Sequence, residues 1–172
     1  MKKLFPAAAA ALLAACQTPM PDEPLRATAA LQSTKGSKAF GEATFEEVDG
    51  KVRVIVFAQG LTPDREHGFH IHEAGDCSSG DGMSTKGHFN PHGKPHGAPA
   101  TSERHAGDLP ALKAGKDGRA KVDVTVDLVT VRPGPASVVG RGLIIHADPD
   151  DYKTQPTGNA GARIACGVIK PG

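Results

Sequence analysis

The sequence predicts an all-β domain of the antiparallel, turn-rich kind, and three observations predict it. Glycine and proline are frequent, at 21 and 14 of 172 residues, which favours short strands joined by tight turns. Residues 120–128, AKVDVTVDL, alternate strictly, with Val122, Val124 and Val126 on one face and Lys121, Asp123, Thr125 and Asp127 on the other. That period of two with one wet face marks an antiparallel sheet. No segment carries an apolar stripe at helical spacing. The length suits one domain with a sizeable core. A formal net charge of +1 leaves no basic surface to argue for nucleic acid.

The first residues stand apart from the fold. MKKLFPAAAAALLAAC opens on Lys2 and Lys3, continues as an apolar run and ends on small residues before Cys16, the layout of a secretory signal over residues 1–15. The run is too short to span a bilayer. Leu13–Cys16, LAAC, also resembles the lipobox of bacterial lipoproteins, whose cysteine is lipidated and becomes the new N-terminus. The alternative is an ordinary signal with Cys16 incidental. Losing residues 1–15 removes two lysines and turns the charge from +1 to −1. Gln17–Pro24 holds Pro19, Pro21 and Pro24, a stiff, solvated tether. Residues 16–26 are therefore read as lipidated cysteine and tether, and 27–172 as the folded domain. Gln17 is not the aspartate associated with inner-membrane retention, so the expected place is the periplasm, on an outer-membrane lipid anchor.

Strands are expected at 51–60, 120–128, 137–146 and 162–170, with weaker signals at 27–32 and 38–47. Asp49-Gly50 and Asp117-Gly118 supply the positive φ that hairpin turns need. Residues 73–118 lack apolar periodicity and are too long for an ordinary connection. They carry four of the eight histidines and Cys77, which suits a loop folded around metal. If the protein is exported and Cys16 carries lipid, Cys77 and Cys166 remain, either as a disulfide or as two separate buried thiols.

The histidines decide what the loop is for. HGFHIHE, residues 67–73, reads as a strand, and side chains two apart in a strand share a face. His70 and His72 thus project together, while His67 has the opposite parity and braces or packs. His88, His96 and His105 follow in the loop, with Asp108 three residues after His105. Imidazole and carboxylate at that density suit zinc. His146 ends an apolar strand, where it would complete a site with His70 and His72.

Five blocks, HGFHIHE, GHFNPHGKPHG, RHAGDLP, GRGLIIHADPDD and GNAGARIACGVI, resemble in order the signature blocks of copper/zinc superoxide dismutases, over roughly residues 27–170. The resemblance implies an eight-stranded antiparallel Greek-key β-barrel or sandwich with long metal-binding loops. It implies one copper held by His70, His72, His88 and His146, and one zinc held by His88, His96, His105 and Asp108, His88 bridging the two. It matches Asp150 to a carboxylate joining a copper histidine to a zinc histidine, Arg163 to the arginine beside copper, and Cys77 and Cys166 to the family's disulfide. His92 matches no ligand and is expected to be solvated.

The implied activity is dismutation of superoxide to dioxygen and hydrogen peroxide, with Arg163 and His88 as catalytic residues and a homodimer as a further expectation. Copper changes oxidation state and zinc does not. Two departures stand out. Residues 147–162 hold few cations besides Lys153, so the charged guiding loop of the animal enzymes is not matched, and the stretch from Cys77 to His88 is longer than theirs. The rival reading is a related copper- or zinc-binding protein, chaperone or store, without catalysis. Such relatives lack some ligands or the arginine, whereas this chain keeps all seven ligand positions and Arg163.

Overall fold

Alternation of small or aliphatic side chains with polar ones gives the chain its strands: β1 Leu25–Ser33, β2 Phe40–Val48, β3 Lys51–Gln59, β4 Glu66–His67, β5 Phe69–His72, β6 Leu112–Lys113, β7 Ala120–Val126, β8 Gly142–His146, β9 Arg163–Val168 and β10 Lys170–Pro171. They come from a computed structural model that describes residues 24–172; the expected signal and most of the expected tether lie outside the described residues. The main sheet runs β5-β8-β9-β1-β2-β3-β7, β10 also pairs with β1, and β4 pairs with β6. Only Gly68 separates β4 from β5, and only Ile169 separates β9 from β10. Joining those segments gives the eight strands expected, and every strand pairing is antiparallel. Placing β8 beside β5, and β9 beside β1, is Greek-key connectivity.

Inward positions of the strands carry the core: Leu31, Phe45, Val54, Val56, Phe69, Ile71, Leu143 and Ile145 are all buried. Each large apolar side chain contributes about 1.5–3 kcal/mol by leaving water. Asp49 and Gly50 both have positive φ, 51° and 73°, as a two-residue hairpin turn between β2 and β3 requires. β1 opens at Leu25, two residues before the expected start. The expected strand at 137–146 forms only from Gly142. Residues 137–141 instead form a packed loop: Val138 is fully buried, its N–H bonds to the Thr130 carbonyl at 2.9 Å, and Gly140 turns the chain at φ 80°. Packing of this loop has overridden the β-propensity of its valines.

Glu47 holds the preceding turn at Val131 and Arg132. It is buried on β2, and its carboxylate accepts the N–H groups of Val131 at 2.8 Å and Arg132 at 2.9 Å together with the Arg132 guanidinium. Burial pushes its pKa up, but the hydrogen bonds and charge of Arg132 and the Val131 N–H outweigh this and hold it below the usual value. A depressed pKa contributes stability that is full above the unfolded value, about 4.3, and is lost as pH falls through the folded value. Glu47→Gln should therefore cost about 1–3 kcal/mol at pH 7. Urea unfolding should show the gap between parent and variant closing once pH drops below about 4.

The long loop is pinned to the free edge of β5. Ile71 donates to the Gly107 carbonyl at 3.0 Å, and Phe89 donates to the Ile71 carbonyl at 2.8 Å. Glu73 and Ala74 donate to the carbonyls of Gly87 and Thr85, each at 3.0 Å. A 3-10 turn at Met83–Thr85 lies within this segment, and Cys77 and Cys166 form a disulfide that fastens it to β9.

Candidate metal centre

The strand–loop pairing just described carries the histidines to one place. β5 supplies His70 and His72, β8 supplies His146, and the pinned loop supplies His88, His96, His105 and Asp108. All seven are buried. They form two groups, His70, His72, His88, His146 and His88, His96, His105, Asp108, and within each group the potential ligand atoms lie within 4.8 Å of one another. His88 is the only residue common to both. Its ring stacks on that of His70 with centroids 3.9 Å apart.

Four of the rings are aimed by the bond the other nitrogen makes. His70 Nε2–H donates to Asp150 Oδ2 at 2.7 Å, and His96 Nε2–H donates to Asp150 Oδ1 at 3.0 Å, so one carboxylate orients one histidine of each group. His72 Nδ1–H donates to the Lys86 carbonyl at 2.9 Å and His146 Nδ1–H to the Gly161 carbonyl at 3.2 Å. His67, predicted as a brace, donates from Nδ1 to the carbonyl of His146 at 2.8 Å. Gly158 is needed beside this network, since a Cβ there would lie 1.8 Å from Asp150 Oδ1.

The opposite nitrogens test whether the residues suit metal. His70 Nδ1, His72 Nε2, His88 Nε2 and His146 Nε2 are buried without a hydrogen-bond partner, as are Nδ1 of His96 and His105 and Nε2 of His67. A buried imidazole nitrogen with no partner is costly. Six of these seven atoms fall into the two groups, four in the first and two, beside the Asp108 carboxylate, in the second. The first group offers nitrogen alone and suits copper. The second offers nitrogen and oxygen and suits zinc.

The charges agree with that division. Burial, then the neighbouring His88 ring and the Arg163 guanidinium, lowers the pKa of His72 well below the ordinary value; burial and His70 do the same for His146. Burial lowers His88 to about 4 against the pull of Asp108. His96 faces two carboxylates, and although burial opposes it, Asp108 and Asp150 raise it to about 9. Burial would raise Asp108, but hydrogen bonds from His105, His88 and His96 hold it far below the carboxylate range.

Arg163 opens β9 at the rim of the first group. Its Nη1 donates to the Gly82 carbonyl at 2.7 Å and to Thr85 Oγ1 at 2.9 Å, and its Nη2 donates to the Lys86 carbonyl at 2.7 Å. Lys86 thus joins the guanidinium to His72 through one shared oxygen. His92 is exposed and outside both groups. The sequence reading had no signal for Lys86, whose part is a main-chain carbonyl. It also missed Gln155, which accepts the His96 N–H and donates to the His96 carbonyl, both at 2.9 Å.

A Greek-key barrel carrying a nitrogen-only site and a mixed nitrogen–oxygen site that share one imidazole defines a two-metal oxidoreductase class. Residues 39–169 match the family described as copper/zinc superoxide dismutase (SODC), and the chain belongs to that family. It is 42% identical over 174 residues to "Superoxide dismutase [Cu-Zn] 2" of Aquifex aeolicus (strain VF5), covering 99% of this chain and 100% of the relative. It is 45% identical over 151 residues to "Superoxide dismutase [Cu-Zn] 2" of Brassica juncea, covering 84% of this chain and 96% of the relative. Among solved structures it resembles that of the clock protein EA4, with TM-score 0.79 and 41% identity over 87% of this chain and 96% of that one.

Proposed function

We propose that the chain dismutes superoxide to dioxygen and hydrogen peroxide, using copper held by His70, His72, His88 and His146 and zinc held by His88, His96, His105 and Asp108. The observation that carries this is the single ring of His88 lying in both groups. Copper, when bound, supplies one-electron chemistry in both directions; the rest falls to the protein. Asp150 holds His70 and His96 in fixed tautomers, so neither ring turns during the reaction. Burial lowers the pKa of His88 to about 4 and leaves its Nε2 without a hydrogen-bond partner, so that nitrogen is free to hold copper and would be the buried position at which a proton is held and released. The guanidinium of Arg163, half-buried at the rim, draws in a small anion; superoxide dismutases are themselves a standard example of such steering. Metal analysis and superoxide turnover measured on one sample test the proposal, and full metal without turnover would favour the binding-protein reading instead.

Replacing Arg163 by methionine should leave both metals bound and lower the rate roughly tenfold, about 1.4 kcal/mol in the barrier. Lysine should restore part of it, keeping the charge but losing the fork that grips Gly82, Thr85 and Lys86. Added salt should slow the parent more than the methionine variant. Equal salt dependence would show that Arg163 only tethers its loop.

Export and anchoring belong to the same proposal: signal removal before Cys16, lipid on Cys16, and a periplasmic site on the outer membrane. The Cys77–Cys166 disulfide supports an oxidising compartment. Intact mass of the membrane-extracted protein checks it, and an unmodified Cys16 would sink the anchor. A homodimer completes the proposal, with sedimentation as its measurement.

A further inference from the structure

Among the described residues, five that are not glycine have positive φ: Asp49, Asp64, Lys86, Tyr152 and Asn159. Aspartate and asparagine tolerate the left-handed region because their short side chains bond locally. Lys86 has no such excuse, and its φ of 65° with ψ of −144° lies near a region that is almost glycine's alone. A glycine is at hand, one residue too late. Gly87 does not have positive φ, and a Cβ built there would meet nothing nearer than Glu73 Oε1 at 4.0 Å. The order Gly-Lys would have been free of strain; the chain has Lys-Gly.

What the strained order achieves is the place of one charge. The Lys86 carbonyl accepts from both His72 Nδ1 and Arg163 Nη2, at 2.9 and 2.7 Å, so the lysine backbone is fixed at the rim of the nitrogen-only group. Its side chain is exposed, and among the described residues no carboxylate pairs with it. Arg163, by contrast, has N–H groups committed to Gly82, Thr85 and Lys86 and stands close enough to Asp81 to feel its charge. Lys153, the cation of the 147–162 loop, is exposed, with its N–H on Asp151. We infer that Lys86 is a steering residue, an unpaired cation held by a strained backbone at the copper mouth to draw the anionic substrate toward Arg163.

This inference rests on the function proposed above, and three variants of the metal-loaded protein test it. Lys86→Met keeps the strain and the length of the stem but loses the charge. Its rate at low salt should fall about twofold and should approach the parent's as salt is raised. Lys86→Arg should retain the parent's rate and salt dependence. Lys86→Gly relieves the backbone, so it should be as slow as the methionine variant yet melt about 2–4 °C higher. A lysine that served the loop structurally would give the reverse, a lower melting temperature in the glycine variant. An active parent matched by Lys86→Met at every ionic strength overturns this inference alone; a parent without activity overturns the proposed function and this inference with it.

Discussion

His88→Ala should change the copper electron paramagnetic resonance spectrum, because copper loses a nitrogen ligand, and lower turnover by about 100-fold or more, while each metal keeps most of its occupancy. The separation of these outcomes follows from the geometry. Removing His88 leaves His70, His72 and His146 in one group and His96, His105 and Asp108 in the other. Three protein ligands are enough to hold such a metal, and both triads stay aimed because Asp150, Lys86 and Gly161 grip the rings from behind. What disappears is the one ring that faces both ways, with Nδ1 on Asp108 at 2.8 Å and Nε2 among the nitrogens of the other group. Metal analysis with electron paramagnetic resonance checks it. His92→Ala, at an exposed histidine outside both groups, should be silent in the same measurements. A His88→Ala protein with an unchanged resonance would mean that the two groups do not share a ligand.

The seven candidate ligand positions that the structure gathers into two groups stood out in the sequence because metal chemistry is carried by side chains, and histidine is scarce enough for its spacing to speak. His70 and His72 follow from strand periodicity alone. His88, His96, His105 and Asp108 follow from their density in the loop and His146 from its strand end; the division between copper and zinc, with His88 serving both, needed the resemblance, since no periodicity says that a loop from residue 73 onward lies back along the edge of β5. The grips behind the rings were illegible for a different reason. The carbonyls of Lys86 and Gly161 belong to the main chain, and any residue could supply them. Strand ends went astray where packing outvoted propensity: Val138 looks like the start of a strand and is instead a buried loop residue, tied to Thr130. β6 and β10, with two residues each, are too short for alternation to register. Lys86 shows the opposite failure. Lys-Gly reads as an unremarkable loop, and only the backbone angle reveals that the residues are in the costly order.

Cys166→Ser should lower stability by about 4–5 kcal/mol, the chain-entropy cost of losing a cross-link that closes roughly 90 residues, and the damage should reach the copper side before the zinc side. The bond spans a sequence separation of 89 and joins the root of the long loop to β9, the strand that Arg163 opens. Between Cys77 and His88 lie Gly82, Thr85 and Lys86, the groups that hold Arg163 and aim His72. Without the disulfide that stretch is tied by main-chain bonds from Lys35 to Gly80, from Glu73 and from Ala74, and by Arg163. His96, His105 and Asp108 lie further along the loop, where Gln155, Asp150 and the Gly107–Ile71 bond hold them independently. Urea unfolding should therefore shift strongly in the variant, and titration with a chelator should release copper at lower concentration while zinc follows the parent more closely. Reductant supplies the control: it should bring the parent to the variant's midpoint and leave the variant where it was. A parent indifferent to reductant, or a variant that sheds zinc first, would show that the loop is held at its zinc end and not at Cys77.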